Sequence, residues 1–183
     1  MNFTTEYREL AKRTLPDLGS LVLNSIHMSV GIASETYELI EASIKDDRVN
    51  IGEEIGDKLW YLANYMNVNN IELYLEFNKF AEDQHLFGEV TNGGEDLIIL
   101  ESMLLDYDKK FLAYGKERDR GMMTSVVDKL FTSYNNLILL HKLDPSSIMS
   151  KNIAKLYVRF PDKFTAEDAN NRDLQAELEV LSK

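Results

Sequence analysis

Residues 31–38 read Gly-Ile-Ala-Ser-Glu-Thr-Tyr-Glu, and residues 54–62 read Glu-Ile-Gly-Asp-Lys-Leu-Trp-Tyr-Leu. Each stretch carries two acids three positions apart, among apolar residues that recur at intervals of three and four. Side chains at this spacing share one face of an α-helix. The two stretches therefore predict two helices, each with a pair of carboxylates on one face. These carboxylates belong to Glu35, Glu38, Glu54 and Asp57.

Helical spacing continues along nearly the whole chain, whereas strand-like alternation is scarce. The predicted helices are Thr4–Thr14, Leu21–Lys45, Ile51–Met66, Ile71–His85, Glu95–Tyr114, Met122–Leu143, Ile148–Arg159 and a last one from Thr165 to Leu181. Asp144-Pro145 starts the helix of 148–159, and Thr165, three residues before Asp168, resembles the cap of the last helix. The apolar stripe of the second helix comprises Ile26, Val30, Ala33, Tyr37, Ile40 and Ile44, and we expect Tyr37 to be a core residue. Phe87–Gly94, which holds three glycines, predicts a loop. We expect an all-α helical bundle.

A length of 183 residues suits one domain, 1–183. We divide it into metal-site helices (14–85), additional helices (86–147) and a C-terminal helix with its tail (148–183). Asp57-Lys58-Leu59 recurs as Asp128-Lys129-Leu130, which is either chance or the remnant of a degenerate second helical repeat. In a repeat, Ser125 would stand where the first copy has Glu54, so the second copy would have lost its acids.

The composition excludes several classes of function. A formal net charge of −11 argues against non-specific nucleic-acid binding, which depends on Lys and Arg contacts to phosphates. The absence of cysteine excludes disulfides, thiolate catalysis and zinc fingers. The N-terminus lacks the apolar core of a secretory signal, and no apolar run approaches the ~18 residues of a membrane helix. We therefore expect a cytoplasmic protein that binds neither membrane nor nucleic acid.

The four carboxylates would come together if the two helices packed as antiparallel neighbours across the polar turn Asp46–Asn50. Like charges at that distance raise one another's pKa, and hard divalent cations such as Mg²⁺ relieve the repulsion. Such cations also activate water and neutralise charge on a leaving group. The alternative is that the acids form an ordinary solvated face, since spacing alone does not distinguish the two.

The two motifs resemble the signature of MazG-like all-α nucleoside triphosphate pyrophosphohydrolases. That signature is E-x-x-E, an interval (here 15 residues, Leu39–Glu53), then E-x-x-D and an apolar stretch with aromatic residues. The resemblance implies that the four acids bind Mg²⁺, or Mn²⁺ in its place, and that a nucleoside triphosphate is hydrolysed to its monophosphate and pyrophosphate. It also implies a homo-oligomer, which we expect to be a dimer. Relatives act on dUTP, dCTP, mixed nucleotides or guanosine alarmones.

A second match lies near the C-terminus, where residues 152–161 resemble the family's N-x-x-K-L-x-x-R-[YF]-P helix. Asn152, Lys155 and Arg159 share one helix face, and the resemblance implies that they face the substrate phosphates. Lys offers a point charge and Arg a two-pronged donor; a solvated basic face is the alternative. Residues 171–174 resemble the tail of phage-encoded members, for which the location would be the host cytoplasm.

Two questions stay open at this point. Glu53 or Glu41 could serve as a base or an outer ligand, and the sequence favours neither. A rival function is that of a catalytically inactive, acidic helical binding protein that kept the fold. The intact set of four acids argues against that rival.

Overall fold

The computed structural model of the chain describes residues 1–77 and 93–182, with only the backbone of residues 93–96. A π-helical turn (Phe3–Tyr7) continues as α1 (Arg8–Lys12), followed by α2 (Leu21–Ile44), α3 (Arg48–Val68), α4 (Gly93–Tyr114), α5 (Arg120–Leu140), α6 (Pro145–Arg159), α7 (Ala166–Asn170) and α8 (Leu174–Leu181). No strand occurs within the described ranges. The all-α prediction is confirmed. None of the described helices is both long and apolar enough to span a membrane.

Helices α2 and α3 form the antiparallel pair on which the predicted site depends. The chain reverses at Asp46, which has a positive φ of 53°, and the Asp47 side chain accepts a hydrogen bond from the Asn50 amide to cap α3. Helix α4 packs along α2, and α6 packs across α3. One hydrophobic cluster runs from Phe3 to Phe160 and joins these helices.

The helix predicted from Ile71 is wrong for residues 71–77, which follow α3 without helical structure; residues 78–85 lie outside the described part. Asn70 has a φ of 50°, which ends α3. Beyond it, Ile71 and Leu75 are buried and Leu73 is half-buried, whereas Glu72, Tyr74 and Glu76 are exposed. This alternation has the period of two that is typical of extended chain. Thr4 Oγ1 exchanges hydrogen bonds of 2.7 and 2.9 Å with the Leu75 backbone and thereby satisfies groups that a helix would have paired.

The apolar stripe of α2 is not its buried face, and the prediction that Tyr37 lies in the core is wrong. Tyr37 is 65% exposed and Ile44 80% exposed, and Val30 and Ile40 are exposed as well. The buried face instead combines Met28, Ile32 and Leu39 with small polar residues, Ser25, Ser29 and Thr36. Ser25 and Thr36 bond to charged groups of other helices, which explains why hydrophobicity alone selected the wrong side.

The last predicted helix is two helices. Thr165 caps α7 as expected, by accepting from the Asp168 amide, but the chain breaks at Asn171 and Asp173 caps α8 anew. Of the predicted loop Phe87–Gly94, Gly93 and Gly94 begin α4 and the rest lies outside the described residues. The three-part division of the chain and its decayed repeat stay predictions. Asp128 and Lys129 are exposed on α5.

Candidate metal and phosphate site

Glycines allow the helices around the acids to approach closely. A methyl group on Gly31 of α2 would overlap the ring of Tyr61 on α3, so the ring occupies the space that the missing side chain leaves. On α3, a methyl group on Gly56 would lie 3.2 Å from Cβ of Asn152. Because Gly56 is next to Asp57, α6 approaches α3 at the level of the acids.

Three of the four predicted acids form one group. Oxygen atoms of Glu35, Glu38 and Glu54 lie within 4.8 Å of one another. Burial, and then the charge of Asp57, raise the pKa of Glu35 to about 7 and that of Glu54 to about 9. The electrostatic cost foreseen from the sequence is therefore present: these side chains resist carrying their full negative charge without a cation.

Asp57 is held by α6. Asn152 Nδ2 donates to Asp57 Oδ1 at 2.6 Å, and Lys155 Nζ donates to Asp57 Oδ2 at 2.5 Å. Lys155 is 0% exposed and also donates to Glu53 Oε1 at 3.1 Å. Burial alone would lower the pKa of Lys155, but Asp57 and Glu53 outweigh it and the pKa is raised. Lys155 is a buried cation that compensates two carboxylates.

A residue of the N-terminal turn completes this arrangement. The Tyr7 hydroxyl donates to Asn152 Oδ1 at 2.8 Å, and the Asn152 amide nitrogen in turn donates to Asp57. Burial, and then the charge of Asp57, raise the pKa of Tyr7 well above its ordinary value. Tyr7 therefore stays a neutral donor, and it fixes the orientation of the Asn152 amide.

A second buried cation lies behind the acids, between the α2–α3 pair and α4. Lys58 is 0% exposed, and its Nζ donates to the Ile32 carbonyl at 2.8 Å and to Glu101 Oε1 of α4 at 2.7 Å. Thr36 bonds to both Lys58 and Glu101. Burial lowers the pKa of Lys58, and Glu101 opposes that effect. Thr36 follows Glu35 and Lys58 follows Asp57, so this network fixes the register of both acidic motifs.

A cavity of about 280 Å³ opens over the acids. Its acidic wall comprises Glu35, Glu38, Glu53, Glu54 and Asp57, and its other walls include His27, Trp60, Tyr61, Phe160, Phe164, Arg159 and Arg172. Both arginines bond to Glu177 of α8. A cavity lined by both acids and two guanidinium groups suits a ligand that carries anionic groups and brings a cation with it.

Residues 25–84 match the family model described as the MazG nucleotide pyrophosphohydrolase domain. This segment is MazG-like, as its two acidic motifs predicted. Comparison with curated proteins and with solved structures finds no match for the chain. The matched segment contains most of α2, all of α3 and all four predicted acids, whereas α6 lies outside it.

The MazG-like acids fit a divalent cation. Mg²⁺ takes oxygen ligands, and the donor set of Glu35, Glu38 and Glu54 offers carboxylate oxygens from facing helices. Asp57 lines the same cavity, but both its oxygens bond to α6. Its role as the fourth ligand stays a prediction. The same holds for Asn152 and Lys155 as phosphate ligands, since both are buried against Asp57.

Several groups around the MazG-like site were missed in the sequence. Tyr7, Glu101 and Glu177 are single polar residues far along the chain from the acidic motifs, and no spacing rule connects them to those motifs. Lys58 lies inside the second motif, between Asp57 and the apolar stretch that begins at Leu59. A Lys in that position could have been predicted to be a buried charge. Tyr37, expected in the core, is exposed and donates to Glu41 instead.

Proposed function

We propose that the protein hydrolyses a nucleoside triphosphate to the nucleoside monophosphate and pyrophosphate in a Mg²⁺-dependent reaction. The observation that carries this proposal is the close group of Glu35, Glu38 and Glu54 in the wall of a cavity that Arg159 and Arg172 also line. The MazG match over residues 25–84 supports it, because the matched domain is that of a nucleotide pyrophosphohydrolase.

In this proposal Glu35, Glu38, Glu54 and Asp57 hold the cation. A bound Mg²⁺ would activate water and neutralise charge on the departing phosphate. Lys155 and Asn152 hold the Asp57 carboxylate in one orientation, which favours a fixed geometry over a mobile acid. Since each of them donates a hydrogen bond to Asp57, we propose that their main role is to position that carboxylate. Contact with the phosphate chain is a secondary role.

Glu53 is a better candidate than Glu41 for the general base. It lines the cavity and accepts a hydrogen bond from Lys155. Glu41 accepts from Tyr37 and pairs with Lys45 instead, and it is not part of the cavity wall. Of the two acids that the sequence left open, contact with the cavity favours Glu53.

The aromatic wall is where we place the nucleobase. Tyr61 stands edge-on to Trp60 and to His27, with ring centroids 4.9 and 6.0 Å apart. Base faces stack favourably on aromatic side chains. The cavity volume of about 280 Å³ is close to the lower end of small-molecule sites, so a single nucleotide is the expected occupant.

The decisive measurement is pyrophosphate release from a panel of nucleoside triphosphates with Mg²⁺. We expect Glu38→Gln to lower kcat/KM at least ~100-fold, since it removes a ligand charge next to the reacting phosphates. Glu41→Gln is a matched control: it makes the same change about one helical turn away, outside the cavity wall.

No release from any nucleotide would refute the enzymatic proposal and favour an inactive binding protein. Release that Glu38→Gln leaves unchanged would keep the activity and refute the site. The homo-dimer that the resemblance implies and the cytoplasmic location stay predictions, and light scattering measures the first directly.

A further inference from the structure

Glu177 holds two arginines that come from different parts of the chain. Arg159 at the end of α6 donates through Nε at 3.0 Å and Nη2 at 2.7 Å. Arg172, between α7 and α8, donates through Nε at 3.3 Å and Nη2 at 2.6 Å. Both guanidinium groups therefore grip one carboxylate in the two-pronged manner that is the strongest arrangement for this pair of groups.

The three side chains form two layers. The Glu177 side chain is 3% exposed and does not line the cavity, whereas Arg159 and Arg172 do. Burial alone would raise the pKa of Glu177, but its hydrogen bonds to both arginines outweigh burial and hold the pKa at about 2. Glu177 is thus an anion beneath two cations, and the cations face the cavity.

Each arginine keeps a donor for a ligand. Both use Nε and Nη2 on Glu177, and Nη1 of each makes no hydrogen bond to another described residue. Two guanidinium groups that bond to the same carboxylate lie close enough to repel each other, and the negative charge of Glu177 offsets that repulsion. After Glu177 neutralises one of the two positive charges, the three side chains together keep one net positive charge beside the cavity that the acids also line.

We propose that Arg159 and Arg172 form a paired guanidinium clamp for the phosphate chain of the nucleotide, and that Glu177 is the residue that positions both. This inference rests on the function proposed above. It adds Arg172, which lies outside the motif that suggested Arg159, as a residue that contacts substrate. Helix α8 contributes to the site in this way, because it carries the carboxylate that holds the clamp together.

Binding of inorganic tripolyphosphate in the presence of Mg²⁺ tests the clamp without a base and without nucleotide turnover. By titration calorimetry we expect Arg172→Gln to raise the dissociation constant about tenfold, as the loss of one charge-assisted contact should. Arg172→Lys should recover only part of this loss, since ammonium cannot donate as a fork. Arg120→Gln on α5 is the matched control for charge and should change binding less than about twofold.

Glu177→Gln tests positioning. It should weaken tripolyphosphate binding several-fold and raise KM for the nucleotide more than it lowers kcat, because the two arginines would lose their common anchor. Tighter binding in Glu177→Gln would overturn the proposal, since Glu177 would then be a competitor of phosphate. Should this variant fail to fold, the Arg172 pair of variants still decides.

The outcomes separate this inference from the proposed function. Tripolyphosphate binding that depends on Arg172, in a protein that releases no pyrophosphate from any nucleotide, would keep the clamp and refute the hydrolysis. Normal hydrolysis with an unchanged KM and dissociation constant in Arg172→Gln would keep the proposed function and refute the clamp. A wild-type protein that binds no tripolyphosphate would refute the clamp.

Discussion

Lys155 Nζ lies 2.5 Å from Asp57 Oδ2, so the one Lys that the C-terminal motif assigns to phosphate is bonded to an acid of the second acidic motif. This contact joins α6 to the MazG-like helix pair. The buried Lys155 ammonium therefore compensates Asp57 and Glu53 and does not line the cavity itself.

Replacing Lys155 by Met should therefore destabilise the fold. It would leave Asp57 and Glu53 without their shared cation, and we expect the free energy of unfolding to fall by about 3 kcal/mol. Urea denaturation in the presence of a chelator measures this. Lys151→Met, one turn earlier on the same helix, is the control and should cost less than about 1 kcal/mol. An unchanged unfolding free energy in Lys155→Met would show that the ammonium is not needed to compensate the acids.

The Lys58–Glu101 pair should behave as one unit. Lys58→Met alone would leave the Glu101 carboxylate buried without a partner and cost about 3–5 kcal/mol in stability. Glu101→Gln alone would leave the Lys58 ammonium buried without a partner at a similar cost. The double variant should recover a large part of this, which gives a coupling energy above about 2 kcal/mol in a double-mutant cycle. Lys129→Met changes the exposed Lys that echoes Lys58 and should have almost no effect. Additive single effects would contradict the buried pairing.

Gly31→Ala should disturb the cavity from behind. The new methyl group overlaps the Tyr61 ring, which must rotate or shift, and we expect a loss of about 1–3 kcal/mol in stability. The ring is part of the cavity wall, so KM for a nucleotide should rise as well. Gly52→Ala places the same methyl group in open space on α3 and should be neutral or slightly stabilising. Equal behaviour of the two variants would mean that Tyr61 does not fill the space beside Gly31.

Without a divalent cation, stability should fall as pH rises. The pKa of Glu54 is about 9 in the folded protein against an ordinary value of 4.5. A raised pKa of this kind means that stability is fully present below about 4.5 and is lost progressively up to about 9. Glu54→Gln mimics the protonated form, so its unfolding free energy should depend less on pH and exceed that of the wild type by roughly 1–3 kcal/mol at about pH 8. Chemical denaturation from about pH 5 to about pH 9 in a chelator measures both proteins, and parallel curves would contradict the prediction.

Much of the fold was predictable because period and caps are local properties. The spacing in α2 and α3 and the cap residues Asp144 and Thr165 indicated helices that the structure contains. The predictions that were wrong have a common cause, which is a contact with a residue far away along the chain. In α2 the partners of Ser25 and Thr36 on other helices determine the buried face, and in residues 71–77 the Thr4 side chain, 71 residues away along the chain, bonds to the Leu75 backbone.

The site was predictable to the extent that its acids lie in two local motifs. Glu35, Glu38 and Glu54 meet as their spacing suggested. Asp57 has the same spacing, but Asn152 and Lys155 draw its oxygens towards α6, and a contact 95 residues away along the chain has no local signature. Glu177 was hidden for a different reason: an acid on a short amphipathic helix resembles a solvated one until its two arginines are seen.

Residues 4–13 make contacts that can form only after much later segments of the chain have been synthesised on the ribosome. Thr4 bonds to Leu75 at a sequence separation of 71, Tyr7 to Asn152 at 145 and Arg13 to the Phe160 carbonyl at 147. Residues 4–13 therefore leave the exit tunnel long before the segments that carry their partners. Until Lys155 emerges, α2 and α3 carry their acids without the cation that offsets Asp57 and Glu53. We therefore expect nascent chains that end before α6 to need an external cation, or a chaperone, to keep the acidic pair together.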